Sequence, residues 1–316
     1  MAIDRGLLPR VACVLLIACG PTVKTGAGPG AEPVGVNRMP VSHTPANGGR
    51  QVLLGEMCPQ GAAGRPAVAP LLMRNVGWTD NATTVSAAIE RGSVPRFVVF
   101  GVDGKLAGAF DTMGSVDVGL PQQVAAGAYA GSSPCTYGAA VAAKPKPGEI
   151  ATRAEDPKCG AATNSCGLAV GEVTHPDELG ATPTYVTGGA CLSGDALAVD
   201  IDGDGRIESF PIAGVLDGTR SPAAEWSAAA TSTAACDPKF ALYDIKLAAD
   251  PDPGKPVDPK SVVTMDVLGV VDLDGDGRRE LVLALKFQTV RTIVVYTATA
   301  QPQRLELAGE ATSFPR

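Results

Sequence analysis

The stretch VDIDGDGRIE at 199–208 returns as VDLDGDGRRE at 271–280, identical at eight of ten positions and displaced by 72 residues. Asp200, Asp202 and Asp204 occupy alternate positions, and Glu208 follows four residues after the last of them. Asp272, Asp274, Asp276 and Glu280 repeat that spacing. Carboxylates packed this closely repel one another, and more strongly as solvent is withdrawn. A hard divalent cation converts the repulsion into ligation: calcium takes six to eight oxygen ligands at about 2.3–2.6 Å in adaptable geometry. The backbone must then curl around one point, which places Gly205 and Gly277 at loop position 6 with φ > 0. Position 7, Arg206 or Arg278, offers its backbone carbonyl. Glu208 or Glu280, at position 9, closes the shell directly or through water. The competing reading of such a segment is a solvated acidic turn.

The spacing departs from that of an EF-hand, which needs a bidentate Glu at position 12 and flanking helices. Position 12 is here Pro211 or Leu283. The second loop is followed by LVLALKF at 281–287 and TIVVYT at 292–297, apolar and β-branched runs that predict strands. The predicted unit is therefore strand, cation loop, strand. That unit, carried by DLDGDGRRE at 272–280 with its following apolar run and by DIDGDGRIE at 200–208, resembles the FG-GAP and VCBS repeats of integrin-type β-propellers. The resemblance covers about 185–310. It implies a mainly β fold of propeller-like or partial-propeller repeats with calcium as a structural cofactor and a binding rather than catalytic role. A closed propeller takes about four or more blades, and two clear copies are present. The segment 97–110, FVVFGVDGKLAGAF, has the outline of a degenerate copy without ligands.

The N-terminus carries Arg5 and Arg10 and then an apolar run at 11–18, shorter than the roughly 20 residues that span a bilayer. It predicts a signal peptide over 1–18. Leu16-Ile-Ala-Cys19 resembles a bacterial lipobox, which implies cleavage before Cys19 and lipidation of Cys19 as the membrane anchor. Gly20 at the next position implies, by analogy, the outer membrane. An ordinary cleaved signal is the alternative. Residues 19–50, rich in Gly, Pro, Thr and Val, read as a flexible tether. Apart from Cys13 and Cys19, six cysteines remain: Cys58, Cys135, Cys159, Cys166, Cys191 and Cys236. An even number in an exported chain suggests three disulfides. Sequence-local pairing gives Cys58–Cys135, Cys159–Cys166 and Cys191–Cys236, one of fifteen connectivities.

With 38 Gly and 26 Pro and few aromatics, the chain favours short strands and turns over long helices. Its net charge of −7 and lack of Lys/Arg clusters argue against nucleic acid as a partner. Residues 51–141 predict a smaller α+β region or a degenerate repeat. Within it, 80–91 reads as a helix capped by Thr79 or Asp80 and stopped at Gly92. A hairpin is expected over 96–110 around Asp103-Gly104, and a short helix over 121–129. Residues 142–158 predict a linker and 159–316 the β-repeat region. The Pro-rich 250–259 reads as a surface excursion between the two units.

A catalytic constellation is not evident. His43 lies in the tether, leaving His175, in a turn-like context, as the one histidine for a folded site. No nucleophile elbow, HExxH, P-loop or Rossmann fingerprint occurs. Trp78 and Trp226 read as core or rim. The expectation is a non-enzymatic, lipid-anchored envelope protein whose partners are the membrane and a protein or glycan ligand. The alternative is an envelope carbohydrate hydrolase using carboxylates outside the loops.

Overall fold

In the computed structural model the described residues are 50–58, 65–101, 105–117, 123–132, 167–174, 185–219, 221–233, 245–248, 262–287, 290–299 and 303–313. They form seventeen strands and one α-helix, so the fold is mainly β, in line with the composition. The first seven strands are β1 (Val52–Cys58), β2 (Ala67–Arg74), β3 (Trp78–Thr79), β4 (Arg96–Phe100), β5 (Leu106–Val116), β6 (Val124–Gly131) and β7 (Leu168–Glu172). They run in the order β1-β7-β4-β5-β6-β2-β3, and β1 pairs again with β2. That extra pairing closes six strands into a barrel, which leaves those six without a free edge. β7 lies C-terminal to the segment expected as a linker, yet its pairs with β1 and β4 complete the ring. Residues 142–158 themselves lie outside the described residues.

The helix α1 (Ala82–Glu90) packs on β2, β5 and β6. Its cap is Asn81, one residue beyond the expected position, and the Asn81 side chain accepts from the Thr84 N–H at 3.0 Å. Gly92 ends the helix with φ 67°. The short helix expected over 121–129 is instead strand β6. Its alanines favour helix locally, but pairing with β5 overrides that weak preference. Gly127 makes the pairing possible: a Cβ there would lie 1.9 Å from the Asp111 carbonyl oxygen.

The remaining strands form two sheets. β8 (Ala190–Ser193), β9 (Ala196–Val199), β10 (Ile207–Pro211) and β12 (Ala230–Ser232) give the order β12-β10-β9-β8. β11 (Glu225–Ser227), β13 (Ile245–Ala248), β14 (Val262–Val271), β15 (Glu280–Phe287), β16 (Val290–Ala298) and β17 (Arg304–Ser313) give β11-β17-β16-β15-β14-β13. The predicted strands over 281–287 and 292–297 are thus β15 and β16.

The central strands β14, β15 and β16 of the six-stranded sheet are largely buried on both faces, and strand alternation assigns their side chains. Leu281, Leu283 and Leu285 of β15 join a core with Leu197 and Val199 of β9, Phe210 of β10 and Trp226 of β11, shared by the two sheets. Val282 and Ala284 join the other core, with Val52, Leu54, Val98, Phe100 and Val170 of the barrel. In β14 a bulge at Val267/Gly269 resets the alternation, so that Val270 faces the first core and Val271 the second. On the barrel side a buried ion pair, Arg291 of β16 with Glu56 of β1, extends the contact. Trp226 is fully buried, donates from Nε1 to the Pro211 carbonyl at 2.8 Å and stacks edge-on with Tyr296. Trp78 is partly buried and packs on the second core.

Cys191 is disulfide-bonded. Each of the three expected pairings includes a cysteine outside the described residues, as do the expectations for Cys19, His43, His175, the tether and the Pro-rich excursion.

Candidate metal centres

Both acidic loops sit where the sequence places them, each joining two antiparallel neighbours: β9 to β10 and β14 to β15. Their internal hydrogen bonds match one for one. Asp200 Oδ1 accepts from Gly203 N–H at 2.8 Å and its Oδ2 from Gly205 N–H at 3.3 Å. Asp272 does the same with Gly275 at 2.7 Å and Gly277 at 3.2 Å. Asp202 accepts from Asp204 N–H at 3.1 Å, and Asp274 from Asp276 N–H at 3.0 Å. Asp204 accepts from Arg206 N–H at 2.7 Å, and Asp276 from Arg278 N–H at 2.8 Å. Glu208 reaches back to Ile201 N–H at 3.1 Å, and Glu280 to Leu273 N–H at 2.7 Å. Gly205 and Gly277 adopt φ 83° and 89°, the left-handed turn expected at position 6.

Carboxylate oxygens converge in each loop to within 4.8 Å of one another, but on different triplets. In the first loop they come from Asp200, Asp202 and Glu208; in the second from Asp272, Asp274 and Asp276. Asp204 and Glu280 complete the predicted sets in sequence without belonging to these closest groups. Arg206 and Arg278 enter the loop geometry through their N–H groups. The Arg278 guanidinium turns away to the Thr299 carbonyl at 2.8 Å. The donors are all oxygen, which fits a hard divalent cation and not a soft one that selects sulfur or imidazole. Each cluster could therefore hold a metal ion.

The electrostatics point the same way. Burial pushes the Glu280 carboxyl up to about 8; Asp274, Asp276 and Asp272 add to the rise, and the Leu273 N–H opposes it. Burial also raises Glu208, opposed by the Ile201 N–H and aided by Asp202, Asp204 and Asp200. Asp274 is raised by burial, against the pull of Arg74. Burial and neighbouring carboxylates thus favour the protonated form of Glu280, Glu208 and Asp274, and a cation among the same oxygens would take the place of the proton.

The arginines around the loops carry no motif of their own and escape sequence reasoning. Arg74, on barrel strand β2, donates from Nη2 to Asp274 Oδ2 at 2.7 Å. Arg50 donates its N–H to the Asp274 carbonyl at 2.8 Å and lays its guanidinium over the Tyr185 ring, 5.4 Å from the centroid. Arg279 reaches the first loop: its Nη1 donates to the Asp200 carbonyl at 2.6 Å and lies 3.1 Å from Asp200 Oδ2. The one available signal was that Arg279 stands where the first loop has Ile207, the other mismatch, Ile201 with Leu273, being conservative. The chain matches no protein-family model, no curated protein and no solved structure.

Proposed function

We propose that this chain is a non-enzymatic, lipid-anchored envelope protein in which two calcium ions staple a β domain that serves as a binding or structural module. The observation that carries the calcium part is the repetition, loop for loop, of five carboxylate-to-backbone hydrogen bonds around converging oxygens. In both loops these bonds curl the chain so that three carboxylate oxygens face one point, which is the arrangement a cation needs. Asp200, Asp202, Asp204 and Glu208 would hold one ion, and Asp272, Asp274, Asp276 and Glu280 the other, with the Arg206 and Arg278 carbonyls available. Calcium is favoured over magnesium because magnesium demands near-ideal octahedral geometry and keeps its waters.

The FG-GAP/VCBS reading is supported by the strand–loop–strand unit. The four-stranded and six-stranded sheets, which share one core, would then be two repeat blades packed face to face. The barrel stands on the far face of the second sheet, where a further blade would be in a propeller. The membrane anchor rests on the lipobox-like Cys19 and its signal-like leader. Among the described residues no helix is long and apolar enough to cross a membrane.

Thermal unfolding in calcium, magnesium and chelator tests the calcium assignment. An ion at about 100 times its dissociation constant adds roughly 2.7 kcal/mol per site. Calcium is expected to raise the midpoint well above magnesium. Identical midpoints in calcium and chelator would sink it. Incorporation of labelled palmitate into the wild-type chain but not Cys19→Ser tests the anchor.

A further inference from the structure

We propose that Arg279 couples the two loops, so that a cation in either one raises the affinity of the other. The inference rests on the calcium reading above and deepens it. Arg279 stands in the second loop where the first has Ile207. Its N–H donates to the Ile201 carbonyl at 2.9 Å, and its Nη1 donates to the Asp200 carbonyl at 2.6 Å. The same nitrogen lies 3.1 Å from Asp200 Oδ2. One residue of the second loop therefore holds two successive peptide carbonyls and the leading carboxylate of the first. The loops also touch directly: a Cβ on Gly203 would lie 3.6 Å from the Gly277 carbonyl oxygen and 3.6 Å from Arg279 Nη2.

Arg279 is in turn fixed from its own side. Arg278, before it, has its N–H held by Asp276 at 2.8 Å and its guanidinium by the Thr299 carbonyl at 2.8 Å. Glu280, after it, holds the Leu273 N–H at 2.7 Å. A cation gathering Asp272, Asp274 and Asp276 locks this frame. Without it the carboxylates push apart, the frame loosens and the donors to Ile201 and Asp200 lose their aim. What differs between the filled and empty second loop is how firmly the Arg279 fork is aimed at the Asp200 carbonyl. By linkage the effect is reciprocal.

Calcium titration calorimetry on the full chain tests this. Asp276→Asn, at an exposed ligand, silences the second loop, and Asp202→Asn silences the first. Each is expected to weaken the remaining site by about fivefold or more, by the same factor in both directions. In an Arg279→Gln background both effects are expected to vanish. Should that variant not fold, Arg279→Lys keeps the charge, loses the fork and is expected to cut the coupling below about twofold. Unchanged affinity at the remaining site overturns the coupling while leaving two independent calcium sites. Coupling that survives at full size in both Arg279 variants overturns Arg279 as its carrier. A wild-type chain that binds no calcium overturns the calcium reading and this inference with it.

Discussion

Loops 200–208 and 272–280 make the same internal hydrogen bonds, but they live in different surroundings. In the second, Asp272, Asp274 and Glu280 are all buried, whereas in the first Asp200 and Asp202 remain half-exposed and only Glu208 is buried. The second loop is wedged between layers: Arg74 and Arg50 tie it to the barrel side, and Asp272 donates its N–H to the Val186 carbonyl at 2.8 Å. The first meets the second through Arg279. Nearly identical segments thus have unequal stakes. Water compensates a defect in the first loop more readily than one at the buried Asp272, Asp274 or Glu280 of the second.

The largest consequence concerns pH. Glu280 keeps its proton up to about 8 in the cation-free fold, against an ordinary value of 4.5. A raised folded-state value stabilises at low pH and loses that stabilisation as pH climbs through the window. The cation-free protein is expected to weaken from about pH 4.5 to 8, while a bound cation takes over the role of the proton. The gap between unfolding midpoints in calcium and in chelator should therefore widen with pH. Glu280→Gln is expected to remove most of the widening and Glu208→Gln a smaller part. The reverse ranking would break the comparison.

Truncation of the leading aspartates comes next. Asp272→Ala orphans the N–H groups of Gly275 and Gly277 in a half-buried loop, at roughly 1–3 kcal/mol for each unsatisfied donor. We expect about 3 kcal/mol in chelator-free buffer. Asp200→Ala orphans the matching donors in an exposed loop, where water replaces the acceptor, and should cost about 1 kcal/mol. Denaturant midpoints measured at constant slope distinguish the two; equal costs would mean that burial does not set the difference.

Arg74→Met sharpens the contrast further. It leaves Asp274 unpaired beside Asp272 and Asp276. Because Arg74 is 23% and Asp274 12% exposed, the loss is expected to fall at about 1–2 kcal/mol, below that of a fully buried pair. The loss should appear in chelator and shrink in saturating calcium, since the ion replaces the guanidinium. A loss of equal size in both conditions would mean that Arg74 acts through packing on the barrel.

The loops were legible because their chemistry is local. Alternating aspartates, glycines at fixed places and an apolar run behind them dictate a turn, a left-handed φ and a strand without reference to the rest of the chain. Strands β15 and β16 were legible for the same reason: burial on both faces demands continuous apolar sequence. The barrel was not. Its closure depends on β1 pairing with both β2 and β7, and β7 is LAVGE, five residues with no alternation to mark them. β6 was misread as helix because its alanines speak for local propensity, while the glycine that lets β5 approach speaks only in context. Arg74 and Arg279 were invisible as site residues, since an arginine's partner is set by the packing of sheets and not by its sequence neighbours.

The smallest expected effect isolates one contact of the deeper loop. Thr297, on β16, donates from Oγ1 to Glu280 Oε1 at 3.4 Å, a long hydrogen bond to the carboxyl whose other oxygen holds Leu273. Thr297→Val keeps the shape and removes the hydroxyl. At that length the bond is worth about 0.5 kcal/mol, the lower end of the usual range. Its removal should leave the first loop's calcium affinity untouched and lower the second's slightly, because Glu280 loses one of the two groups that aim it. Titration calorimetry resolves the two sites only if their affinities differ, so the Asp202→Asn background, which leaves the second loop alone, is the cleaner place to look. A change of tenfold or more there would mean that Glu280 is positioned chiefly from β16. The second loop's character would then come from the sheet behind it more than from the barrel beside it.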